Sequence, residues 1–147
     1  MALFRWFIPV TLTIAAIPVL AQKPVCTMVT AGEAGTILGT GVGKQDLGRT
    51  CIYKVKGSNV SLVVTTKAAA TAAATKANVT KLGATLKDEP GLGMGAYSAT
   101  LDYSARIYLF KGDQMLIIEV TDTSKAKIPD KTIDKLRAEA KKAFGRL

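Results

Sequence analysis

The chain has 147 residues, no histidine, two cysteines and a formal net charge of +9 at pH 7. The lack of histidine excludes Ser-His-Asp triads and histidine-ligated zinc sites. The carboxylates show no spacing typical of a paired general acid and base. We therefore predict that the protein is not an enzyme and has no catalytic residues, no cofactor and no metal site.

The first 21 residues predict an export signal. The α-amino group and Arg5 precede an apolar run over 7–20, and Val19-Leu20-Ala21 fits cleavage after Ala21. An uncleaved anchor is the alternative, but a span takes about 20 apolar residues, and this run is shorter and interrupted by two prolines. The expected organisation is a signal peptide over 1–21 and a single domain over 22–147, exported to the periplasm or the extracellular space.

The charge of the predicted mature chain favours anionic partners. Without Arg5, 19 basic residues remain against 11 acidic ones, a formal charge of +8. An anionic envelope component or another exported protein is therefore the expected partner class. The compartment disfavours nucleic acid, and no membrane span is expected after cleavage.

Cys26 and Cys51 are predicted to form a disulfide, because two thiols in a small exported chain usually pair. Closing this loop is worth about 3.5 kcal/mol on the chain-entropy model. A redox-active pair is the alternative, but such pairs are normally spaced C-x-x-C. The structural disulfide is the preferred interpretation.

A short helix is predicted over 30–38, capped by Thr30 with Glu33 and stopped by Gly39. The glycine-rich segment 39–48 contains Gly43-Lys44, which invites comparison with a phosphate-binding loop. The first glycine and the final Ser or Thr of that motif are missing. The segment is therefore predicted to be a flexible connection.

A hairpin is predicted from alternating residues over 49–55 and 60–66. Its inner face consists of Tyr53, Val55, Val60, Leu62 and Val64. The alanine-rich segment 67–82 follows, and its composition favours a helix that ends at Gly83, with a low-complexity linker as the alternative.

The loop 87–95 imitates a dinucleotide-binding fingerprint through Gly91, Gly93 and Ala96, but it does not follow a strand and open a helix. It is interpreted either as an ordinary glycine-rich turn or as a mobile binding loop. The residues of this candidate binding loop are Glu89, Leu92, Met94 and Tyr97.

Three strands are predicted over 96–101, 105–110 and 114–121, followed by a helix over 130–146. The solvent face of the last helix carries a candidate anionic-surface patch of Lys131, Lys135, Lys141 and Lys142. The alternative is a plain solvated helix face.

The predicted fold class is α+β, in the order α-β-β-α-β-β-β-α, with an antiparallel sheet of about five strands, three helices against one face, and one disulfide. The pattern resembles the small exported bacterial domains of unknown function typified by actinobacterial lipoproteins, although the lipobox frequent among them is missing. The resemblance is carried by Cys26, Thr30-Ala31-Gly32-Glu33, Leu38-Gly39, Cys51-Ile52-Tyr53, Gly91-Leu92-Gly93, Lys111-Gly112-Asp113 and the helix end over 136–147.

The resemblance implies a fold and carries no established activity. The expected function is an exported, non-catalytic binding or structural module of the bacterial envelope or extracellular space. The alternative is an exported enzyme inhibitor that presents the loop over 89–97.

Overall fold

A computed structural model describes residues 23–147. The predicted signal peptide and its cleavage site lie outside the described residues. The helices of residues 23–147 are α1 (Ala31–Leu38), α2 (Ala72–Lys81) and α3 (Asp130–Arg146), with single 3-10 turns at Val25–Thr27 and Pro90–Leu92. The strands are β1 (Val42–Asp46), β2 (Thr50–Val55), β3 (Val60–Ala68), β4 (Thr85–Asp88), β5 (Tyr97–Leu101), β6 (Ser104–Lys111) and β7 (Gln114–Asp122).

All seven strands form one antiparallel sheet in the order β1-β2-β3-β7-β6-β5-β4. The centre of the sheet is the long pairing of β3 with β7, which runs from Val60 opposite Asp122 to Ala68 opposite Gln114. This pairing joins the group β1–β3 to the group β4–β7. The short strands β1 and β4 lie at opposite edges of the sheet.

The prediction of about five strands in the order α-β-β-α-β-β-β-α is wrong. The described chain runs α-β-β-β-α-β-β-β-β-α, because β1 lies inside the predicted flexible connection 39–48 and β4 follows α2 directly. Both additional strands pair on one side only and are largely exposed, so they lack the apolar alternation that marks a buried strand. The three helices, the antiparallel pairing and the single disulfide are confirmed.

The main core lies between the sheet and the pair α1 and α3, on what we call the α1–α3 face. Its fully buried side chains include Tyr53, Leu62, Val64, Ile107, Leu109, Leu116, Ile118, Val120 and Leu136. A second, smaller cluster lies on the opposite α2 face, where Val79 of α2 packs with strand residues of β5 to β7. The expectation that every helix covers the same face is therefore wrong.

The segment before α1 is fastened to the sheet by covalent and polar contacts. The predicted disulfide joins Cys26 to Cys51 of β2, with 5.2 Å between their Cα atoms. The buried hydroxyl of Tyr53 donates to the carbonyl of Val29. Because disulfides persist mainly in oxidising compartments, this bond indicates a non-cytoplasmic location. Within residues 23–147, the helices are too short or too polar to cross a membrane.

An ion pair connects α1 to the end of α3. Arg146 donates from both terminal nitrogens to the carboxylate of Glu33, over 2.5 and 2.7 Å. Glu33 also completes the predicted capping box with Thr30, which is confirmed. The hydrogen bond from Arg146 is the main cause that lowers the pKa of Glu33 to about 2, against an opposing effect of burial.

We expect Glu33→Gln to lower the free energy of unfolding at pH 7 by about 2 kcal/mol. This loss is smaller than the free energy that corresponds to the full pKa shift of Glu33, because Arg146 is 37% exposed and partly screened by water. Gln retains the acceptor of the capping box, so the variant isolates the ion pair. The pKa of Glu33 is lower in the folded state, so its stabilisation is present above pH 4.5 and is lost as the pH falls towards 2. Urea unfolding should show the two proteins converging over that interval, and a constant difference would contradict the assignment.

Candidate binding groove on the α2 face

Helix α2 covers only part of its face of the sheet. Its one buried residue, Val79, packs with Tyr97, Tyr108 and Met115, on strands β5, β6 and β7. Cross-strand partners share a face, and the pairing of Thr65 with Ile117 and of Ile117 with Tyr108 continues this face onto β3. Beyond α2 the face is open, and a groove forms where the helix stops covering the sheet.

This α2 groove has a volume of about 380 Å³, within the range of small-molecule sites. Its lining residues are Thr65, Lys67, Thr75, Asn78, Val79, Leu82, Arg106, Tyr108, Met115, Ile117 and Glu119.

The floor of the groove carries a half-buried ion pair on the two strands of one hairpin. Arg106 Nε lies 2.8 Å from Glu119 Oε1, and the same oxygen accepts a hydrogen bond from Thr121. The N–H of Nε is not aligned with that carboxylate and has no hydrogen-bond partner within residues 23–147. Burial alone lowers the pKa of Arg106, but its contacts with Glu119 and Tyr108 outweigh this effect and raise it. Arg106 is therefore always positively charged, and its Nε–H is a donor that no described residue uses.

An aromatic stack supports the groove from beneath α2. The rings of Tyr97 and Tyr108 are 4.6 Å apart and nearly parallel, and Phe110 stacks 6.2 Å from Tyr97. The Tyr97 hydroxyl is buried without a hydrogen-bond partner in the described part of the chain. Burial, followed by the effect of Tyr108, raises the pKa of Tyr97, so this hydroxyl stays neutral. The Nζ of Lys76 lies 5.2 Å from the centre of the Tyr97 ring. The stack thus forms a packed aromatic layer under α2.

The rim of the groove combines apolar surface with positive charge. Leu82, at the end of α2, is 63% exposed, and the exposed Lys67 of β3 also lines the groove. The groove has a formal charge of +1, which is the sum over Lys67, Arg106 and Glu119. The site therefore matches a ligand with an apolar part and an anionic group.

The four residues of the candidate binding loop do not form one exposed surface. Leu92 and Tyr97 are buried, and Glu89 is buried as well. The carboxylate of Glu89 accepts hydrogen bonds from Ser98 at 2.8 Å and from Arg137 at 2.7 Å. Met94 alone is presented to solvent, with 93% of its surface exposed.

The four lysines of the candidate anionic-surface patch are all exposed on α3. Lys142 lies 3.0 Å from the buried carboxylate of Glu139, which also accepts a hydrogen bond from Thr36 of α1. The remaining three, Lys131, Lys135 and Lys141, are exposed on the same helix and make no salt bridge with another described residue. Their binding to anionic surfaces stays a prediction.

A second cavity of about 500 Å³ lies between the start of α3 and strands β4 and β5. It holds Asp102, Asp130, Asp134 and Arg137, but Arg137 is already bonded to Glu89 and to Asp134 over 2.7 and 2.8 Å. The described residues contain no group of three or more side chains arranged to hold a metal ion. The α2 groove, with exposed apolar surface and an available cation, is therefore the better candidate.

The predicted strands over 105–110 and 114–121 did not by themselves pair Arg106 with Glu119. The signal was present in the hairpin turn Lys111-Gly112-Asp113, because pairing outward from that turn sets residue 106 opposite residue 119, as observed. The facing of these two opposite charges can therefore be read from the sequence once the turn is placed. The contribution of α2 had no comparable signal, because it depends on which face the helix covers.

The fold and the groove together define a small antiparallel α+β domain with one disulfide and a half-covered sheet face. Comparison of the chain with family models, curated proteins and solved structures finds no match. The case for a function therefore rests on the geometry of the site.

Proposed function

We propose that this chain is an exported, non-catalytic binding module of the bacterial envelope or extracellular space, and that its ligand site is the α2 groove. The observation that supports this proposal is the incomplete cover of the α2 face, which leaves the Arg106–Glu119 pair at the floor of an open groove. The proposed resemblance to small exported bacterial domains is compatible with such a role.

The ligand class follows from the chemistry of the lining. Leu82, Val79 and Ile117 supply apolar surface, while Lys67 and Arg106 supply cationic donors. A guanidinium recognises carboxylates through paired donors. We therefore propose an amphipathic ligand with a carboxylate or similar anionic group and a short apolar body.

The test is a titration of the isotope-labelled, disulfide-bonded protein with decanoate, kept below its micellar concentration, and followed by amide NMR. Shifts should concentrate at Thr65, Lys67, Asn78 and Leu82, and decanol should bind more weakly because it lacks the charge. Lys67→Glu should weaken decanoate binding about fivefold, and Leu82→Asp about tenfold. Both positions are solvent-accessible, so the fold should persist.

Lys56→Glu is the matched control, since it makes the same change of charge in the exposed turn between β2 and β3, outside the groove. Equal weakening by Lys56→Glu and Lys67→Glu would show that only net charge matters. Shifts confined to α3 would move the site to the candidate anionic-surface patch.

An enzyme inhibitor is the second candidate function, supported by the shape of the loop around Met94. Its base is fixed by buried Leu92 and by the Glu89–Arg137 contact, and its tip is a single exposed apolar side chain between two glycines. If the protein slows an exported enzyme in proportion to its own concentration, Met94→Asp should abolish the effect and Leu82→Asp should not. Inhibition that survives Met94→Asp would contradict this use of the loop.

A further inference from the structure

Strand β1 is an open edge of the sheet within the described part of the chain. It pairs only with β2, and Gly43 to Asp46 are exposed. The opposite edge strand, β4, has four residues and is followed within two positions by Pro90, which limits further pairing. β1 contains no proline. Unpaired edges of this kind are templates for pairing with another chain.

The hydrogen bonds of the β1–β2 hairpin show which groups of β1 point outward. Leu47 N donates to Thr50 O over 2.8 Å, and hydrogen-bonded positions alternate along an antiparallel pair. Gly43, Gln45 and Leu47 therefore bond to β2. The backbone N–H and C=O groups of Val42, Lys44 and Asp46 point away from the sheet and are free to pair with another strand.

We propose that a second copy of this chain pairs with β1 in an antiparallel manner, with Gln45 opposite the partner's Gln45. This register sets Lys44 opposite the partner's Asp46, and Asp46 opposite the partner's Lys44. Both pairs use outward-pointing backbone groups, so the hydrogen-bond pattern and the charge pattern agree. Opposite charges across neighbouring strands stabilise pairing, whereas like charges destabilise it.

The charges also exclude the neighbouring symmetric registers. A register that sets Lys44 opposite the partner's Lys44 would bring two positive charges together. A register that sets Asp46 opposite the partner's Asp46 would bring two negative charges together. A single lysine often protects an edge strand from pairing, but here an aspartate two residues further along makes one register complementary.

The surroundings of the edge leave room for a second copy. On the α1–α3 face, a shallow groove of about 400 Å³ beside β1 is lined only by small or short side chains from α1 and from residues 39–42. On the other face, α2 packs over β5 to β7, away from β1. The two-fold axis would be perpendicular to the sheet, so the α2 grooves of both copies would open on the same side.

The test is sedimentation equilibrium of the full folded protein over a concentration series that reaches the millimolar range. The wild type should show a monomer–dimer equilibrium. Lys44→Asp and Asp46→Lys should each weaken the dimer about tenfold, because each converts two attractive pairs into repulsive ones. The double variant, which exchanges the two charges, should restore it. The single variants change net charge in opposite directions, so a general charge effect cannot weaken both.

A cysteine scan fixes the register independently. Gln45→Cys should form a covalent dimer on oxidation, because facing residues at a non-hydrogen-bonded position lie about 4.5 Å apart at Cα. Lys44→Cys should not. A wild type that stays monomeric throughout, a dimer insensitive to either reversal, failure of the double variant to restore it, or crosslinking through Lys44→Cys would each overturn the proposal.

Discussion

Replacing Cys26 and Cys51 together by alanine should lower the free energy of unfolding by about 3.5 kcal/mol. The bond closes a loop of 25 residues in sequence separation and ties the segment before α1 to β2. Cys51 is fully buried and Cys26 nearly so, and alanine avoids burying a hydroxyl without a partner. Urea or guanidinium unfolding monitored by far-UV circular dichroism measures the loss.

The reduced wild type is the control for this experiment, because it keeps both sulfur atoms in the core and lacks only the crosslink. It should lose most of the same free energy as the double variant. If reduction changes the free energy of unfolding by less than about 1 kcal/mol, the loop-closure account is wrong. A large loss in the alanine variant alone would then indicate a packing defect.

Gly93→Ala should destabilise the protein by about 3 kcal/mol. Gly93 has a φ of 100° and a ψ of 170°, a backbone conformation essentially restricted to glycine. A Cβ at this position would also lie 2.6 Å from Cζ of Phe144, at the end of α3. Backbone strain and steric overlap therefore act together. Chemical denaturation measures the sum of the two effects.

Two other glycines separate these causes. Gly39 has a similar φ of 105° with no described atom within 4 Å of a built Cβ, so Gly39→Ala reports strain alone. Gly91 lies in the same loop as Gly93 without a positive φ or a close neighbour, and Gly91→Ala should change stability little. In a Phe144→Leu background, the cost of Gly93→Ala should fall towards that of Gly39→Ala. Equal costs at positions 93 and 39 would rule out the contact with Phe144.

The same loop shows why sequence reasoning chose a binding site that the packing largely hides. Glycines, a proline and apolar residues predict an adaptable loop, and of its four candidate residues Met94 alone is exposed. Leu92 is instead covered by the main core, and Glu89 is held by Ser98 and Arg137. Burial of a loop side chain depends on a distant helix, here α3, and local composition carries no information about it.

The two faces of the sheet differ in how completely the helices cover them. The α1–α3 face is filled by large apolar side chains and closed by two helices. The α2 face has one short helix with a single buried residue, so strand positions near Thr65 and Ile117 keep access to solvent. An unfilled face costs the protein some apolar burial.

The sequence by itself determined the parts that depend on near neighbours. Contacts within a few residues explain the Thr30–Glu33 capping box, the alternation in β2 and β3, the turn between β6 and β7 and the helical spacing of α3. The disulfide could also be predicted, because two cysteines allow only one pairing within the chain. These predictions are confirmed because local hydrogen bonding and side-chain periodicity largely decide such elements.

Only the tertiary structure decided the edge strands, the face that α2 covers and the site this leaves open. β1 and β4 become strands because a paired neighbour satisfies their backbone groups, although their own side chains are mostly exposed. α2 is alanine-rich with one buried residue, so its pattern does not select a face. The groove exists because β3, which is distant in sequence, pairs with the β6–β7 hairpin, while α2 covers only part of the face that these strands share.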